Sequence, residues 1–195
     1  LQNAPVSMTL RGDTTRLILT NTLCVGVLDN ASFTVDGGSN VMTAVHLGGN
    51  AGQTAAAGTS PTGTLTVSGG YLGVTSDLGV RTIYAAGAYN SYGIVNVTGG
   101  KLDVVSLYTG WCGAGELNVS GGELAVSSQI RIGNQAYASE TRDSVGRISG
   151  GSVYIGDSIM VANNAARKGR LILDGGILSC NKTYGNVGIS AFEAD

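Results

Sequence analysis

Charge is scarce in this sequence. Lysine, arginine, aspartate and glutamate make up 12% of its 195 residues, about half the share usual in a soluble domain. The formal net charge is −2, and the densest basic group is Arg167, Lys168 and Arg170. A nucleic-acid footprint needs a basic patch that displaces counterions, so no nucleic-acid partner is expected. Proline occurs twice, histidine once, and the 32 glycines follow no three-residue period. Collagen and proline-rich linkers are thereby excluded. No apolar run is long enough to span a membrane as a helix. Three cysteines, Cys24, Cys112 and Cys180, show no CxxC spacing. They are expected as small apolar residues in an interior, with a bridge between two of them left open. The chain opens on Leu1 without a charged segment followed by an apolar one. It is expected to be a piece of a longer protein.

What is present is a repeat. Hydrophobic residues are 43% of the chain, and they alternate with Thr, Ser and Asn at a period of two, which means strands. Four segments align without gaps: 63–74, 93–104, 115–126 and 169–180. Their shared pattern is G-x-h-x-h-[STD]-G-G-x-h-x-h, where h is apolar. Weaker copies lie at 32–38 and 146–155, the second with Gly146 in the first apolar place, and 15–20 reads as a degenerate first copy. The Gly-Gly pairs begin at Gly37, Gly69, Gly99, Gly121, Gly150 and Gly175, with a shortest spacing of 22 residues. That is the length of one turn of a parallel β-helix, and longer spacings are a turn plus a loop.

Each unit predicts three short strands. The first two flank the Gly-Gly corner, where glycine takes φ > 0 without a Cβ clash. The third follows a short gap, as in 78–80, 130–132 and 159–161. One such turn cannot bury its apolar side, whereas stacked turns bury aligned Val, Leu and Ile columns. Parallel crossovers are almost always right-handed. The fold expected is therefore all-β: a single-stranded right-handed parallel β-helix, or β-solenoid, of about six to seven rungs of roughly 22 core residues, with loops on one edge. One domain covers 1–195, with 1–30 a degenerate first rung, 31–180 the clear repeats and 181–195 a terminal rung or tail. Outward residues should align as well. Lys101 and Glu123 are expected to pair across adjacent turns, and Asn96 to stack on Asn118 between Thr66 and Arg147.

The unit G-x-L-x-V-S-G-G-x-L-x-V resembles the autotransporter-associated β-strand repeats of very large bacterial surface proteins. The resemblance covers roughly residues 31 to 180. It implies a secreted or surface-exposed β-helical segment of a longer chain. It does not choose among adhesins, passengers and passive stalks.

Loops carry variable function on a fixed scaffold. The longer inserts, 49–62, 87–92, 134–145 and 163–168, all follow the third strand, and seven of the eleven aromatics lie in or after that strand. Tyr84, Tyr89, Tyr92, Tyr108, Trp111 and Tyr137, with Tyr184 beyond them, form a candidate edge for stacking on the faces of sugars. The same residues also suit a structural task, shielding the coil edge. Signs of catalysis are sparse. His46 is alone in Val45-His46-Leu47, and no nucleophile elbow or phosphate loop occurs. No metal site or cofactor is expected. A glycosidase needs two carboxyls about 5–10 Å apart, which in a solenoid means the same place in adjacent turns. Asp103 is followed there by Ala125, Glu116 is preceded by Ile94, and Asp36 and Asp174 are several turns apart. Glu140, Arg142 and Asp143 share one loop and read as solvated. The leading expectation is a noncatalytic structural or adhesive module at the cell surface or outside the cell, not an enzyme. The alternatives are a carbohydrate-binding module whose partner is a polysaccharide or surface glycan, a subunit that self-associates end to end, and a divergent polysaccharide-active enzyme.

Overall fold

The computed structural model describes residues 6–49, 61–80, 91–110, 113–133, 142–162, 169–185 and 192–194. Among them there is no helix, and so none long and apolar enough to cross a membrane. The chain is a parallel β-solenoid. Strands β1 (Val6–Arg11) and β2 (Ile18–Val25) stack on β3 (Ala31–Leu47), and β3 stacks on β4 (Thr62–Val80). The next turn is β5 (Tyr92–Val97) with β6 (Lys101–Thr109), followed by β7 (Ala114–Val126) with β8 (Gln129–Ile132). Then come β9 (Ser144–Val161), β10 (Gly169–Gly185) and β11 (Phe192–Ala194). Every pairing is parallel, and the number of turns is close to that expected from the repeat.

The register follows the repeat. Phe33, Leu65, Val95, Leu117, Gly146 and Leu171 form one inner column, and Leu10, Val35, Val67, Val97, Val119 and Ile148 the next. Nearly all are fully buried, and each buried Leu or Val contributes about 1.5–3 kcal/mol. The third strands align as expected, Leu78 with Leu107, Ile130 and Ile159. Gly146 interrupts its column because Ile132 and Leu171 fill the space: a Cβ there would lie 2.5 Å from the Ile132 Cδ1 atom.

The corner glycines have a second reason beyond the turn. The second glycine of each pair has φ between +60° and +75°, as the corner requires. It also rests on the pair below. A Cβ on Gly100 would sit 2.6 Å from the Gly69 carbonyl carbon and 2.6 Å from the Gly70 oxygen. Stacked corners approach too closely for any side chain. A second left-handed column follows five of the third strands: Gly26, Gly48, Gly110, Gly133 and, in place of glycine, Ala162 at φ 52°. Reading the repeat around its Gly-Gly pairs missed this corner, although an apolar residue followed by glycine recurs there, as in Leu47-Gly48 and Ile132-Gly133.

One inner position departs from the expected apolar columns. Asn40 occupies the place filled by Leu72, Leu102 and Leu124 in later turns, and it is fully buried. Its side-chain oxygen accepts a hydrogen bond from the Leu17 amide at 2.9 Å, and its Nδ2 donates to the Gly37 carbonyl at 3.1 Å. The segment entering β2 is thus held by a side chain as well as by the Ser39 and Val41 amides, which donate to the Thr15 and Leu17 carbonyls. Both Cys24 and Cys180 are half-buried, not fully interior; Cys180 continues an inner column above Ile155, while Cys24 pairs with His46 on an outward position. Burial raises the Cys24 thiol above its usual range. Cys112 lies outside the described residues.

Candidate functional site

Of the six aromatics expected to form an edge, Tyr84, Tyr89, Trp111 and Tyr137 lie outside the described residues. Tyr92 is not in a loop; it opens β5. Its hydroxyl donates to Glu116 Oε1 at 2.6 Å, and the Arg142 guanidinium lies over its ring, 4.8 Å from the centroid. Arg142 also donates to the Ser91 carbonyl at 3.1 Å. Tyr108 is on the outer face of β6, where Gln129 donates to its hydroxyl and Arg131 covers its ring at 5.6 Å. Tyr92 is thus engaged by Glu116 of β7 and by Arg142 ahead of β9, and Tyr108 by Gln129 and Arg131 of β8. Asp143 precedes β9, and Glu140 lies outside the described residues. His46, on the outer face of β3, is buried between Cys24 and Gly79.

The outward ladders are present. Asn118 donates to Asn96 at 3.1 Å, Asn96 donates to Thr66 at 3.4 Å, and Asn118 also reaches Glu116. Lys101 lies 2.9 Å from Glu123 and 3.5 Å from Asp103. The hydrogen bond to Glu123, then the charge of Asp103, raise its ammonium above the usual range. Arg147 pairs with Asp174 one turn on.

A concave feature lies elsewhere, on the outer face of the second strands. It is an open groove of about 500 Å³ that runs along the solenoid axis. One outward column supplies its floor, a residue from each of five turns: Gly73, Asp103, Ala125, Tyr154 and Ser179. Alternation puts these residues outside, and the small side chains among them leave the depression. Tyr71 forms one end. A Cβ on Gly73 would fall 2.8 Å from the Tyr71 hydroxyl and 3.2 Å from its ring, so the ring lies across the space that Gly73 leaves. Asp103, opposite Gly73 in the next turn, is the carboxylate close enough to draw a hydrogen bond from that hydroxyl. Burial first, then this hydrogen bond, raise the Tyr71 hydroxyl above its ordinary range. Toward the other end stands Tyr154, 44% exposed. The two tyrosines are separated by about 14 Å along the axis, three strand spacings. The wall carries Thr75, Val105, Ser127 and Asn181, with Val105 39% exposed.

Neither Tyr71 nor Tyr154 was singled out from the sequence, because the aromatics were grouped by loops. The signal was available in the aligned outward column, where Gly73 and Ala125 alternate with larger residues. Among the described residues, no three His, Cys, Asp or Glu side chains come together in a group able to hold a metal ion. Comparison with protein-family models, curated proteins and solved structures returns no match to the chain.

Proposed function

We propose that the chain is a noncatalytic structural and adhesive segment of a secreted or cell-surface protein. The observation that carries this reading is how the outward polar groups are used: they join one turn to the next. Asn96 and Asn118, Lys101 and Glu123, and Arg147 and Asp174 each pair across a strand spacing. Glu116 is engaged by Tyr92 from the neighbouring turn. Groups of the kind that do acid–base work elsewhere serve here to hold a stack in register. Asp103 and Glu123 are carboxylates on adjacent turns, and both are engaged by the Lys101 ammonium, at 3.5 and 2.9 Å, which stands where a scissile bond would have to lie. The resemblance to surface-protein repeats supports the same reading and favours an extracellular location. The test is incubation of the purified chain with a panel of polysaccharides, measuring new reducing ends and unsaturated products. No release is expected. Turnover that disappears in Asp103→Asn or Glu123→Gln would overturn the noncatalytic reading.

A further inference from the structure

We propose that the groove over β4, β6, β7, β9 and β10 binds a linear, uncharged polysaccharide laid parallel to the solenoid axis, and so supplies the adhesive ligand of the module proposed above.

The shape argues for a polymer. The five floor residues come from five successive turns, so the groove is long in one direction and repeats at the strand spacing of about 4.8 Å. A compact ligand would contact two or three turns and leave the rest to water. An extended sugar chain has a residue rise close to that spacing, so successive rings meet successive turns.

The surface chemistry argues for sugar. Pyranose rings offer an apolar face and an equatorial rim of hydroxyls. The groove offers the rings of Tyr71 and Tyr154, the exposed methyls of Val105, and a wall of hydroxyls and an amide from Thr75, Ser127 and Asn181. Aromatic side chains supply large contact area at little conformational cost. Tyr71 is already held, by the missing side chain at Gly73 and by Asp103, so little ordering remains to be done on binding.

The electrostatics argue for an uncharged chain. Asp103 is the one carboxylate that lines the groove, and Lys101 at 3.5 Å already offsets it. A polyanion would meet Asp103 with Glu123 close by. A polycation would have to displace Lys101 from both carboxylates. A neutral chain meets neither cost.

The experiment is titration calorimetry of the whole chain with cellohexaose, xylohexaose, mannohexaose and chitohexaose, with hexagalacturonate as the charged control. At least one neutral hexaose should bind. Tyr154→Ala should weaken that binding about tenfold or more without changing the melting temperature, since this ring is exposed. Ala125→Arg, which fills the floor from an outward position, should also abolish it, and Tyr108→Ala, outside the groove, should leave it unchanged. Failure of all four neutral hexaoses, preference for hexagalacturonate, or loss in Tyr108→Ala with retention in Tyr154→Ala would each overturn the proposal. None of these results involves turnover, so the groove can fail while the noncatalytic reading stands.

Discussion

A single Cβ atom separates the tolerant glycines of this chain from the intolerant ones. At Gly100 the backbone is left-handed and the corner below lies within 2.6 Å of any added Cβ. Gly100→Ala should therefore cost about 2–5 kcal/mol, the left-handed penalty added to overpacking against backbone that cannot yield. At Gly79 the nearest atom to an added Cβ is the Tyr108 Cβ at 3.4 Å, an ordinary contact, and φ is not left-handed. Gly79→Ala should stabilise by about 0.4–1 kcal/mol through the unfolded chain. Urea unfolding of the two variants checks both. Asn40 makes the complementary point about a polar residue inside. Asn40→Leu copies what later turns carry at this place, yet it strips the Leu17 amide of its 2.9 Å acceptor. The expected outcome is a loss of about 1–3 kcal/mol in the same assay. A gain would mean that the first turn re-forms its pairing without the side chain.

At the scale of strands and columns, the sequence was legible wherever the repeat was regular. Alternation announced the strands, and alignment of the units predicted the inner Leu and Val columns and the outer Asn96–Asn118 and Lys101–Glu123 pairs. It was least legible where a position does something its neighbours in the column do not. Asn40 stands among leucines, Gly146 yields its space to Ile132, and Tyr71 leans across Gly73 from a different column. Such features depend on which neighbouring side chain fills a gap, and a single-chain pattern does not record that. The groove was hidden for the same reason: its ends are tyrosines from separate columns, three turns apart. The setting of Tyr71 beside Asp103 has a pH signature. The folded state holds the Tyr71 hydroxyl above its unfolded value of about 10, so it favours the protonated form. The stabilisation is fully present below about pH 10 and is lost as pH rises through the folded value. Lys101, also raised, acts in the same direction. The stability difference between the wild type and Tyr71→Phe should therefore be constant from neutral pH to about 10 and shrink above it, as measured by denaturant midpoints along a pH series. A difference that stays constant through that range would break the Tyr71–Asp103 link.

For the whole molecule, stacking in register means that each turn knows only its neighbours. Thr62 lies beside Tyr92 and Tyr92 beside Ala114, and Gly63 beside Gly93 and Gly93 beside Gly115. Removing residues 92–113, one turn of 22 residues by the spacing of Asn96 and Asn118, would bring β4 directly onto β7. Gly63 would then face Gly115, Leu65 would face Leu117, and Asn118 would inherit the Thr66 hydroxyl that Asn96 now holds. The corner survives too, since Gly122 would rest on the Gly69–Gly70 pair as Gly100 does now. The shortened chain is expected to fold cooperatively, with a urea m-value reduced in proportion to the surface of one turn and a stability lower by one turn and one interface. It would also lose Lys101 and Asp103, and with them the anchor of Tyr71, so a neutral hexaose that binds the full chain should bind the shortened one more weakly although it is folded. Loss of the cooperative transition would instead show that the turns depend on partners beyond their neighbours, and that the solenoid is stabilised as one body, not turn by turn.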